Sequence, residues 1–164
     1  CQGTAHRLSE ACHAMVYMGE GELKKFIALL ALANLKEDGP DELLHMSIVR
    51  ARFCDQLAAM MGDADNPPAA FLTGLFSLVD ALLEQPLQLL LDDLPILPEI
   101  KAALLEHQGR LGLYLLLTKA FENGEWEQQQ QLTMQLFGKT GDLSMAYLDA
   151  VSWAHGLMQE AAGG

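Results

Sequence analysis

A chain of 164 residues, 51% of them apolar, is long enough for one domain with a substantial core. Its 22 acids against 10 bases leave a formal charge of −12, which excludes the basic surface that phosphate backbones require, so no nucleic-acid partner is expected. No apolar run reaches the roughly 18 to 20 residues that span a bilayer; the longest, Phe26 to Ala33, is bracketed by Lys24, Lys25 and Asn34, and no membrane span is expected.

The three cysteines, Cys1, Cys12 and Cys54, have no CxxC spacing and are odd in number. They imply neither a zinc site nor a complete disulfide framework, and they fit a reducing cytoplasm. The chain opens on Cys1 without an initiator Met or a signal-like segment, so it reads as a fragment, N-terminally truncated.

Runs of Leu, Ala, Met and Glu with few β-branched residues predict an all-α chain of about eight or nine helices and no strand. The first two run from Arg7 to Met18 and from Glu20 to Leu35, divided by the Gly19 to Gly21 turn; the second carries Leu23, Phe26, Ile27 and Leu30 on one face, a candidate interaction face. The third opens at Pro40, with Asp41 and Glu42 at the positive end of the helix dipole, and stops at Gly62. Asn66 caps a fourth, with Pro67 in its first turn, that runs to about Gln85. That helix is apolar nearly all round, except that Thr73, Ser77, Asp80 and Glu84 fall at helical spacing and form one polar stripe.

A short helix follows Pro86, and a proline turn at LPILPEI leads into a helix from Pro98 to about His107. A strongly apolar helix through Leu111 to Leu117 ends near Asn123-Gly124, and an amphipathic one runs from Glu125 to Phe137. In the latter the Gln128 to Gln131 run reads as a solvated face. Asp142 caps the last helix, so that residues 125–164 form a C-terminal helical extension of a single domain, 1–164.

Candidate chemistry is sparse. His6 and His13 lie seven apart without an acid at ligand spacing, and His45, His107 and His155 are isolated in sequence. The adjacent carboxylates Asp92 and Asp93 point about 100° apart on a helix and cannot chelate jointly. GEGE at Gly19 to Glu22 lacks the lysine and spacing of a phosphate loop, and the eight methionines fall mostly at core spacing. No cofactor is called for.

At YMGEGELKKFIALLALANL, LLHMSIVRARFCDQLA and AAFLTGLFSLVDALL the chain resembles the HDOD family, the HD-related output domains of bacterial signalling proteins, and within it the subgroup that follows an EAL-type cyclic-di-GMP phosphodiesterase domain. The resemblance runs from about Ala11 to Trp126. It implies an HD-like helical bundle with a regulatory role, partnered by an upstream EAL-type domain in the parent chain and by a downstream protein that the residues do not name. Catalytic relatives of that fold carry a motif close to AGLLHDIGK whose His-Asp pair binds metal. Laid over TGLFSLVDA, the histidine position holds Ser77 and the aspartate position Leu78. An upstream ligand slot holds Met46, and the last metal-binding aspartate is replaced by Lys119. Hydroxyl, alkyl, thioether and ammonium groups offer a hard cation almost no affinity, so the resemblance implies no metal site and a non-catalytic signal-transduction module.

On this reading Met46, Thr73, Ser77, Leu78, Asp80 and Lys119 mark the face of a lost site; the alternative for the stripe is that it merely meets solvent or short-range hydrogen-bond partners. A residual metal-dependent phosphohydrolase and a plain dimerisation bundle are the rival functions. Two structural expectations accompany them. Gly74, inside a helix-favouring run, marks a close helix approach, and without the helices that HDOD domains carry upstream the chain self-associates through its uncovered N-terminal apolar face.

Overall fold

The computed structural model describes residues 41–63, 69–92 and 96–163. The two helices expected before Pro40, with Leu23, Phe26, Ile27 and Leu30, lie outside the described residues, as do the Asn66 cap and Pro67.

Among the described residues the architecture is all-helical: α1 (Asp41–Met60), α2 (Ala69–Phe76), α3 (Val79–Leu83), α4 (Leu87–Asp92), α5 (Pro98–Glu106), α6 (Gly109–Glu122), α7 (Trp126–Phe137) and α8 (Ser144–Gly163). Most breaks fall where turn chemistry puts them. Gly62 follows α1 with φ +74°, Gly138 caps α7 at φ +70°, Pro98 opens α5, and the Asp142 carboxylate accepts the Ser144 N–H at 2.9 Å to cap α8.

α1 is the central helix, packed against α2, α6 and α8. Ile48, Ala51, Phe53, Cys54 and Leu57 are all fully buried and lie on more than one side of it, the pattern of a helix wrapped by others. Around it close Leu72, Leu75 and Phe76 of α2, Tyr114, Leu115 and Leu117 of α6, and Ala150, Ala154 and Leu157 of α8. The C-terminal helix thus belongs to the same core. A three-ring cluster pins it there: Phe53 meets Phe121 and Tyr147 edge-on at 5.2 and 5.3 Å, and Phe121 stacks on Tyr147.

The helix expected to run unbroken to Gln85 is two. α2 ends at Phe76, Ser77 and Leu78 form a turn, and α3 restarts at Val79. The Ser77 hydroxyl donates to the Gly74 carbonyl at 2.6 Å and its N–H to the same oxygen at 3.3 Å, so a side chain competes with the ladder where the helix would have continued. Gly74 makes the close approach expected of it. A Cβ there would press into the Arg50 carbonyl and the Ala51 nitrogen of α1.

Candidate functional site

Glycine at 74 brings the end of α2 onto α1, and this delivers Ser77 to Arg50. The Arg50 side chain is only 8% exposed, and it faces Glu122 at the end of α6, itself 10% exposed. Nε and Nη2 of Arg50 donate to the two carboxylate oxygens of Glu122 at 2.7 and 2.8 Å, a parallel fork in which both partners are planar and charged. The third nitrogen donates to Ser77 Oγ at 3.1 Å. Taking both charges out of water costs several kcal/mol per ion, and only such a saturated geometry offsets it.

Lys119, one turn before Glu122 on α6, stands beside this pair. Its ammonium lies 3.2 Å from His107 Nε2. Since an ammonium has only donors, Nε2 accepts and the neutral ring keeps its proton on Nδ1. Burial, and then the Arg50 charge, hold the Lys119 ammonium below the usual lysine range, while Glu122 and Asp80 pull the other way. Burial, and then Lys119, likewise lower His107. His107 occupies the left-handed region (φ +55°) as the cap of α5, and its backbone lies so close to Gly112 that a Cβ there would collide with it. The α5–α6 corner therefore fixes the backbone that carries the imidazole.

Of the residues read from the sequence, the structure gathers Ser77, Asp80 and Lys119 around Arg50 and Glu122. Met46 lies one turn before Arg50 on α1 and Leu78 follows Ser77 in the turn; both are half-buried. Thr73 stands apart: it is fully buried and its hydroxyl donates to its own helix, to the Ala69 carbonyl at 2.8 Å. Glu84 is exposed beyond the break, at φ +53°. The polar stripe is therefore not one continuous face. His107 is not isolated, and His45 and His155 meet edge-on with ring centroids 6.5 Å apart.

Arg50 and Glu122, the centre of the cluster, were not singled out in the sequence. The available signal was register: Arg50 sits seven residues before Leu57, and Glu122 continues the buried Leu115 and Thr118 positions, so both are charges at core-facing positions that need a partner. Cys54 adds no nucleophile. It is fully buried against the Thr118 hydroxyl, and burial pushes its thiol up to about 12.

The donor set does not suit a hard cation. Two positive side chains, Arg50 and Lys119, stand in the cluster; the Glu122 oxygens are held by Arg50, and His107 Nε2 by Lys119. Among the described residues no three His, Cys, Asp or Glu side chains converge.

Comparison with known proteins places relatives beside this geometry. The chain is 32% identical over 147 residues to a Vibrio cholerae protein named cyclic di-GMP phosphodiesterase CdgJ, covering 90% of this chain and 34% of that one. It is 30% identical over 157 residues to the Bacillus subtilis protein YuxH, covering 94% of this chain and 38% of that one. The chain thus spans a little over a third of the length of the curated relatives it matches. No family model matches it, and no solved structure does.

Proposed function

We propose that this domain is a non-catalytic signalling module of HDOD type, part of a longer bacterial cyclic-di-GMP signalling protein in which an EAL-type domain accompanies it. The observation that carries the reading is the buried fork between Arg50 and Glu122, bonded to Ser77 and flanked by Lys119. Ser77 and Lys119 stand at positions that the resembled hydrolases give to metal ligands. A guanidinium and an ammonium in that place repel a cation, and the guanidinium ties α1 to α6 and to the turn after α2 instead.

The similarity to CdgJ supports the cyclic-di-GMP context. Because this chain covers 34% of that relative, the activity in its name is assigned here to the part outside the match, and the present domain passes on state through packed helix faces. Two measurements on the purified chain test the reading: metal content, and turnover of cyclic di-GMP and nucleoside phosphates with added manganese. The expected result is neither bound metal nor turnover. Stoichiometric manganese, iron or zinc with hydrolysis that a chelator abolishes would overturn it.

A further inference from the structure

Lys119 carries a nucleophile that the packing of the polar cluster does not use. It is half-buried, and of the three described lysines, Lys101, Lys119 and Lys139, it is the one with an imidazole at hydrogen-bond distance, His107 Nε2 at 3.2 Å. The charged groups that act on its ammonium come from three helices, Arg50 of α1, Asp80 of α3 and Glu122 of α6, with His107 supplied by the end of α5. Burial and the Arg50 charge move the balance from ammonium toward free amine, the form with a lone pair to give. Glu122 and Asp80 act in the opposite sense and favour a cation at the same nitrogen.

We propose that Lys119 captures small neutral aldehydes as an imine, with His107 moving the protons. Three features select that class of reagent. A formal charge of −12 disfavours anionic electrophiles such as acyl phosphates, and a half-buried amine admits only small ones. Condensation with a carbonyl needs a base and then an acid at the nitrogen, and one imidazole in contact with it supplies both in turn. Acylation would also abolish the cation that Glu122 and Asp80 favour, whereas a protonated imine keeps it. In the reaction His107 Nε2, which already accepts from Lys119, takes a proton from the ammonium. The freed lone pair bonds to the carbonyl carbon, and the C=O pair moves onto oxygen. A second N–H proton goes to that oxygen. His107 then returns its proton to the resulting hydroxyl, which leaves as water while the nitrogen pair closes the C=N bond. The sum is ammonium plus aldehyde to protonated imine plus water; nothing is oxidised or reduced. The capture is stoichiometric and without turnover, and it places an adduct one turn before Glu122 on α6.

Timed pulses of propanal on the whole chain at neutral pH test this, each quenched with borohydride, which reduces the imine to a stable secondary amine and destroys free aldehyde. Peptide mass spectrometry then reads every lysine in the same sample. Lys119 should label about tenfold faster or more than Lys101 and Lys139. His107→Asn keeps a hydrogen-bonding side chain and tolerates the left-handed backbone at that residue (φ +55°), but it cannot carry a proton. It should slow Lys119 about tenfold and leave Lys101 and Lys139 unchanged. Unfolding the unsubstituted chain in urea should bring Lys119 down to the rate of the other two, whereas a lysine limited only by access would speed up. A folded chain whose Lys119 labels no faster than the two reference lysines overturns the proposal. So does a rate indifferent to His107→Asn, or one that rises in urea. Acetyl phosphate modifying Lys119 with a greater preference than propanal shows would overturn the class of reagent.

Discussion

Two arginine–carboxylate pairs in this molecule have the same contact distance and opposite surroundings. Arg50 meets Glu122 and Arg110 meets Asp63 at 2.7 Å each, but the first pair is 8% and 10% exposed and the second 51% and 37%. Each recruits a hydroxyl: Ser77 accepts from Arg50, and the Tyr114 phenol donates to Asp63 at 3.2 Å. Distance alone would rank them equal. In water the attraction of the second pair is screened and its ions stay solvated when parted, whereas the first pair has nothing to replace a lost partner. An ion pair is therefore structurally decisive here where burial removes the alternative, and that happens at the junction of α1, α2 and α6.

The largest effect should come from leaving one buried charge alone. Glu122→Gln should destabilise the fold by about 3–5 kcal/mol in urea unfolding, since the guanidinium keeps its burial and loses its counter-charge. Replacing both, Arg50→Met with Glu122→Met, should recover most of that loss. A double variant as unstable as the single one would mean that the pair supplies net stability and not only mutual compensation.

Gly74→Ala comes next. The added Cβ must displace the Arg50 backbone, so we expect a loss of about 1–3 kcal/mol in thermal or urea melts. A shifted Arg50 side-chain resonance should accompany it, because the same approach positions Ser77.

A smaller effect should appear in the response to pH beside the buried pair. His107 is held below its ordinary value of 6.5, by burial first and by Lys119 second. The unfolded chain therefore takes up this proton before the folded one does. The contribution is at its fullest above about 6.5, and stability falls as pH drops from there toward the folded value. NMR titration of the His107 ring in Lys119→Met should show its pKa moving back up part of the way, since burial remains. A ring that titrates identically in both proteins would disprove the contact.

The smallest effect belongs to the exposed pair. Asp63 is held below the usual carboxylate range mainly by its hydrogen bond from Arg110, so its contribution is present above about 3.9 and is lost as pH falls through the folded value. Arg110→Ala should leave the melting temperature unchanged within error at neutral pH and move only the Asp63 titration upward. Salt should mimic that variant at Asp63 and leave the Arg50–Glu122 pair untouched.

Much of the architecture is legible along the chain because its causes are local. Glycines after α1 and α7, the proline before α4, the proline that opens α5 and the Asp142 cap act on neighbouring residues, so the helix ends they set can be read in order. The close approach at Gly74 is legible too, since a glycine in a helix-favouring run needs a packing reason. The end of α2 at Ser77 is less so. Periodicity continues through it, and what stops the helix is a hydroxyl that bonds backward to Gly74 and sideways to Arg50.

Composition and periodicity were enough to establish the chain's charge and, among the described residues, an all-helical architecture and most of its element boundaries, because each depends on residues within a turn or two of one another. The polar centre was decided by the fold. Arg50 and Glu122 are 72 positions apart, and Arg50 and Ser77 are 27 apart. Nothing local to Arg50 says which carboxylate will meet it; that choice belongs to the packing of α2 and α6 on α1. Once the packing buries both groups, the charges have little but each other to pair with.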